Sequence, residues 1–131
     1  MNSISRRTFL AGSAGAAALA LTACGGSGSS DASGDKTYKI GVLQLTQHAA
    51  LDAANEGFVG ALDASGIKYT IDQQNANNDQ SACATIASKL VGDGDDLIFA
   101  IATPAAQAMA AATSDIPIVG SAITDYAASG L

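Results

Sequence analysis

Between Tyr38 and Leu131 the chain alternates short aliphatic runs with longer amphipathic stretches, and this alternation constrains its fold more than anything else. Lys39-Ile40-Gly41-Val42-Leu43-Gln44-Leu45 has the length and branching of a buried strand. From Ala49 to Ser65, Leu51, Ala54, Phe58 and Leu62 recur at helical spacing. Asp52, Glu56 and Asp63 take the other face, and Gly66 stands where a helix C′ residue would. Lys68 to Gln74 predicts a second strand through Tyr69 and Ile71. Asn75 to Asp79 reads as a polar loop with Asp79 as N-cap. A second helix is expected over about Gln80 to Val91, with Cys83, Ile86, Ala87 and Leu90 on one face and Gly92 and Gly94 ending it.

Asp95-Asp96 precede Leu97-Ile98-Phe99-Ala100-Ile101-Ala102, the clearest strand. Thr103-Pro104 then opens a third helix to about Thr113. Asp115 to Gly120 predicts a fourth strand, with Pro117 marking an edge or a start. Ser121 to Leu131 reads as weak strand or loop. Strand–helix alternation with short connections implies right-handed crossovers, a doubly wound parallel sheet and the α/β class.

The first 37 residues read differently. Arg6-Arg7 begin a basic segment, and Ala11 to Ala23 is small and apolar but too short to span a bilayer, which takes about 20 residues. Ser5-Arg6-Arg7-Thr8-Phe9-Leu10 resembles the twin-arginine export consensus, and Leu21-Thr22-Ala23-Cys24 resembles a bacterial lipobox. These imply a signal peptide over 1–23, a lipid-bearing Cys24, and a Gly/Ser-rich tether over 24–37. The domain proper is then 38–131, with an extracytoplasmic, membrane-anchored location.

Charge narrows the function classes. The whole chain has 6 Lys+Arg against 12 Asp+Glu, and without Arg6 and Arg7 the balance is 4 against 12, or −8. Such a surface does not suit phosphate-backbone binding, so no nucleic-acid partner is expected. Two cysteines and one histidine cannot furnish a Cys/His zinc site, and no metal or cofactor is expected. The chain has no phosphate loop, dinucleotide fingerprint or nucleophile elbow. No nucleophile–base set accompanies the single His48, so no enzyme activity or catalytic residue is expected. Cys83, among apolar helix positions, reads as packing.

Ligands of doubly wound sheets bind beyond the carboxyl ends of the strands. Candidate ligand-binding residues at those exits are Gln47 and His48 after the first strand, Gln74 and Asn75 at the second, Thr103, Pro104, Ala105 and Ala106 after the third, and Asp125 after the fourth. Thr103 as N-cap and Pro104 at N1 would leave the N–H groups of Ala105 and Ala106 for an anion. Ordinary helix capping accounts for the same pattern. His48 is equally a loop residue or a ligand contact. Asp125 suits an ammonium or a solvated turn, and Gln74-Asn75 suit turn chemistry.

Several of these segments are similar to one family of bacterial solute-binding proteins, the tryptophan/tyrosine-type ABC transporter substrate-binding proteins. The similarity runs through Lys39-Ile40-Gly41-Val42, Gln47-His48-Ala49-Ala50-Leu51-Asp52, Gly57-Phe58 and Gln74-Asn75-Ala76. It continues through Ile101-Ala102-Thr103-Pro104-Ala105-Ala106-Gln107, Asp115-Ile116-Pro117-Ile118-Val119 and Thr124-Asp125. The resemblance implies a type I periplasmic-binding-protein fold that closes over an amino acid, often aromatic, and delivers it to a permease and its ATPase. By the same resemblance, Thr103 to Ala106 hold the ligand carboxylate or line the cleft, with His48 and Asp125 facing it. The family usually has His-Pro and Thr-Asp-Pro where this chain has His48-Ala49 and Asp125-Tyr126. The family also continues beyond the position of Leu131 into a second lobe, so the expectation is a truncated N-terminal lobe, complete or incomplete. A sensing module coupled to a membrane receptor is the alternative use of such a lobe.

Overall fold

The structure, a computed structural model, describes residues 36–131. The expected signal peptide, Cys24 and most of the tether lie outside the described residues. Within them, β1 (Tyr38–Gln44), β2 (Tyr69–Asn75), β3 (Leu97–Ile101) and β4 (Ile118–Ser121) form one sheet in the order β2-β1-β3-β4. All three pairings are parallel. Helices α1 (Ala49–Ser65), α2 (Gln80–Asp93) and α3 (Thr103–Ala112) connect the strands, and a short α4 (Tyr126–Ser129) follows.

The two central strands carry the apolar runs because both of their faces are covered. Ile40, Val42, Leu43, Ile98, Phe99, Ala100 and Ile101 are all buried. One face packs under α1, where Leu51, Ala54 and Phe58 meet Val42, Phe99 and Ile101. The Phe58 and Phe99 rings stack with centroids 4.1 Å apart, an arrangement that adds roughly 0.5–1.5 kcal/mol to their burial. The other face packs under α2 and α3 through Cys83, Ala87, Leu90, Ala105, Ala106 and Met109. Burial raises the Cys83 thiol above its ordinary value, which fits an inert packing residue.

Gly41 shows how closely the lower end of this core is filled. A Cβ there would lie 2.8 Å from Ile98 Cδ1 and 3.1 Å from Leu90 Cδ1, and closer still to Asp95 Oδ2. Asp95 is buried, and its Oδ2 has no hydrogen-bond partner. Burial pushes its carboxyl above the usual range, helped by the nearby Asp93 and Asp72 charges.

Several boundaries differ from the sequence expectation. Helix α2 runs through Gly92 to Asp93, and Gly94 alone ends it, in the left-handed conformation that suits glycine. β4 begins after Pro117 and is shorter than predicted, and the final loop contains α4, capped by Asp125. Gly66 and Asp79 take the capping positions their spacing implies.

Candidate functional site

β1 is followed in space by β2 on one side and β3 on the other, so the direction of winding reverses between β1 and β3. Helices then diverge from the two strands, and the carboxyl ends on either side of this switch point are where a crevice forms. Gln44 and Ile101 are register partners at that place.

On the β1 side, a depression of about 200 Å³ is lined by Gln44, Gln47, Asp52, Asn55, Gln73, Gln74 and Asn75. Its organising residue is Gln44, which is only 4% exposed although it ends an aliphatic strand. The Gln44 Nε2 donates to Thr46 O at 2.8 Å and to Asp52 Oδ1 at 2.6 Å. Asn55 Nδ2 donates to Gln73 Oε1 at 2.9 Å and reaches Gln44 Oε1 at 3.4 Å. A buried carboxamide with both ends bonded sets the path of the β1–α1 turn and the position of the first two turns of α1. Asn55 Oδ1 is buried and has no partner.

On the β3 side, the chain leaves the strand through Ala102 at φ +83°, a conformation that strains any residue with a side chain. Ala102 N–H donates to Ser121 O at 2.9 Å, and Thr124 N–H donates to Thr103 Oγ1 at 3.3 Å. The turns after β3 and β4 are thus joined by one backbone and one side-chain bond.

This geometry corrects the sequence reading of the third exit. Ala102, not Thr103, is the N-cap of α3, and no side chain caps the helix. The Thr103 hydroxyl turns instead to the neighbouring loop, accepting from Thr124 and keeping its own proton for donation. Of Ala105 and Ala106, Ala106 has its N–H engaged within the helix, while Ala105 N–H has no acceptor among the described residues. Both are buried in the α2–α3 core, and the Ala106 N–H donates to Ala102 O. Of the four residues, Thr103 and Pro104 retain surface at the rim.

The other candidates divide similarly. Gln47 lines the depression, is exposed and makes no hydrogen bond among the described residues. His48 is the N-cap of α1, its Nδ1 accepting from Ala50 N–H at 3.2 Å, so neutral His48 carries its proton on Nε2. Asp125 caps α4 by accepting from Ala128 N–H at 3.0 Å. Neither cap lines the depression. Asn75 reaches the depression while its Oδ1 accepts from Asn77 N–H in a turn. Gln74 also borders it, but its carboxamide nitrogen is engaged by Asp72. That aspartate lies below its ordinary carboxyl range chiefly because Lys89 is bonded to it.

Sequence reasoning missed Gln44, Asp52, Asn55 and Gln73. Two signals were present: a polar residue ending an aliphatic strand, and Asp52 and Asn55 three residues apart, hence neighbours on the surface of the following helix. Among the described residues, no group of three or more His, Cys, Asp or Glu is placed to hold a metal, and no helix is long and apolar enough to cross a membrane.

Residues 39–131 match the profile of the ABC transporter substrate binding protein family. The chain belongs to that family. A tyrosine-binding protein of Clostridioides difficile (strain R20291) is 45% identical over 122 residues, covering 85% of this chain and 35% of the relative. Among solved structures, the ligand-free, open form of CD0873, a substrate binding protein with adhesive properties from Clostridium difficile, is 52% identical with a TM-score of 0.71. That match covers 72% of this chain and 34% of the other. A protein from Streptococcus pneumoniae in complex with L-Trp is 43% identical with a TM-score of 0.70, covering 73% of this chain and 34% of the other. The chain therefore spans about a third of the length of these relatives, and its parallel sheet with flanking helices has the architecture of one of their lobes.

Proposed function

We propose that this chain is the N-terminal lobe of an extracytoplasmic solute-binding lipoprotein that takes up an amino acid, with an aromatic one the leading candidate. In this reading an ABC permease and its ATPase are its partners, and a lipid on Cys24 holds it to the membrane. The observation that carries the ligand assignment is the polar rim around the switch point, with Gln44, Gln47 and Asn55 in one depression beyond β1 and the Thr103 hydroxyl beyond the neighbouring β3. Such a set of neutral donors and acceptors beside one carboxylate suits a small zwitterion. The names of the relatives, one tyrosine-binding and one bound to L-Trp, support the aromatic choice.

The test is a titration of the isotopically labelled chain with a panel of amino acids, followed by amide chemical shifts. Shifts confined to the exits of β1–β4 and strongest for aromatic members support the assignment. No shift at the rim from any member overturns it. For the anchor, metabolic labelling with a fatty-acid analogue should mark the chain and be lost in Cys24→Ser, and export should fail in Arg6→Lys/Arg7→Lys.

A further inference from the structure

Asp52 stands in the first turn of α1, where the helix dipole favours negative charge. It lines the rim depression and uses only Oδ1, which accepts from Gln44. Its second oxygen has no partner among the described residues. No base is placed to meet it: Lys36, Lys39 and Lys68 lie at the amino ends of the strands, and Lys89 is engaged with Asp72 and Asp93. The depression therefore joins an open carboxylate oxygen to a buried amide that fixes its orientation. The lining holds one carboxylate and no cation, and a cation is the complement of its open oxygen.

We infer that Asp52, oriented by Gln44, receives the ammonium group of the ligand, so that the β1 side of the rim reads the amine while the Thr103 side is left for the carboxylate. The inference rests on the amino-acid reading above and goes beyond it in assigning the amine. Gln44 is the positioning residue: it touches Asp52 and the turn rather than the ligand, and its burial keeps water from competing for the Oδ1 bond. Gln44 and Ile101 are register partners, so the Gln44–Asp52 pair and Thr103 stand at the exits of neighbouring strands.

The experiment uses three probes on the full labelled chain: L-tryptophan, tryptamine, which lacks the carboxylate, and 3-indolepropionate, which lacks the ammonium. L-tryptophan and tryptamine should shift the side-chain amide signals of Gln44 and Asn55 and the backbone amide of Asp52, and 3-indolepropionate should leave them in place. Asp52→Asn keeps the Gln44 bond and should weaken L-tryptophan about tenfold or more, as expected for losing a charge-assisted hydrogen bond. It should leave 3-indolepropionate affinity unchanged. Equal shifts of these signals by 3-indolepropionate, or an Asp52→Asn affinity for L-tryptophan equal to the unsubstituted chain's, overturn the assignment of Asp52 and leave the amino-acid reading standing. No rim shift from any of the three overturns both. The probe series on the unsubstituted chain needs no variant to fold.

Discussion

Gly41→Ala tests the account of the lower core, because one added methyl has nowhere to go. The new Cβ would meet Ile98 Cδ1 at 2.8 Å, Leu90 Cδ1 at 3.1 Å and, closest of all, the Asp95 carboxylate. Overpacking of a filled core costs about 1–3 kcal/mol. Replacing a strand glycine returns roughly 0.5–1 kcal/mol of backbone entropy. The expected net loss is about 1–2 kcal/mol, which in a domain of this size lowers Tm by roughly 5–15 °C.

Asp95→Ala should act in the opposite direction. It removes a buried carboxyl whose Oδ2 is unpartnered, and relief of that desolvation is worth roughly 1–2 kcal/mol near neutral pH. In the double variant most of the Gly41→Ala penalty should vanish, giving a coupling of about 1 kcal/mol or more. Urea denaturation followed by circular dichroism measures all four chains. Additive effects would refute the packing of Asp95 on Gly41. The pH profile gives a second readout. The folded Asp95 value is raised, so its contribution is full below the unfolded value and is lost as pH rises through the folded one. Asp95→Ala should remove that decline.

Other consequences can be checked in the same way. Ala102→Gly should raise stability by about 0.5–2 kcal/mol in thermal melts, since glycine takes φ +83° without the strain of a Cβ. Phe58→Ala, which removes one half-buried ring of the stacked pair under α1, should cost about 2–3 kcal/mol in urea, less than a fully buried ring. Asp79→Ala should destabilise α2 because Asp79 accepts from the N–H groups of Ser81 and Ala82. The Ser81 hydroxyl and these amides hold its carboxyl below the usual range. The deficit should therefore appear above the unfolded value and close as pH falls through the folded one. A melt series in which the deficit stays constant at acid pH would contradict the cap.

The alternating pattern made most of the fold legible. Aliphatic runs that include Val42–Leu43 and Ile98–Ile101 are what strands covered on both faces require, and Gly66, Asp79 and Gly94 mark helix ends through local backbone chemistry. The site was less legible because its contacts are tertiary. Thr103 looks like a cap in sequence, yet the strained Ala102 before it and the partner Thr124, 21 residues away, decide where its hydroxyl points. Gln44, Asp52, Asn55 and Gln73 become one network only when α1 lies over β1 and β2. The short α4 escaped notice because a single turn has too few residues to show a period.

The bonds from Ala102 to Ser121 and from Thr124 to Thr103 make the turns after β3 and β4 one mechanical unit. A ligand arriving at either turn meets a surface whose loop entropy was already lost when the lobe folded, so less of its contact energy goes into ordering the receptor. Cutting the side-chain link with Thr103→Val should therefore lower affinity even for ligands too small to touch the Thr103 hydroxyl. It should do so mainly through faster dissociation, because a loosened pair of turns releases what a joined pair retains.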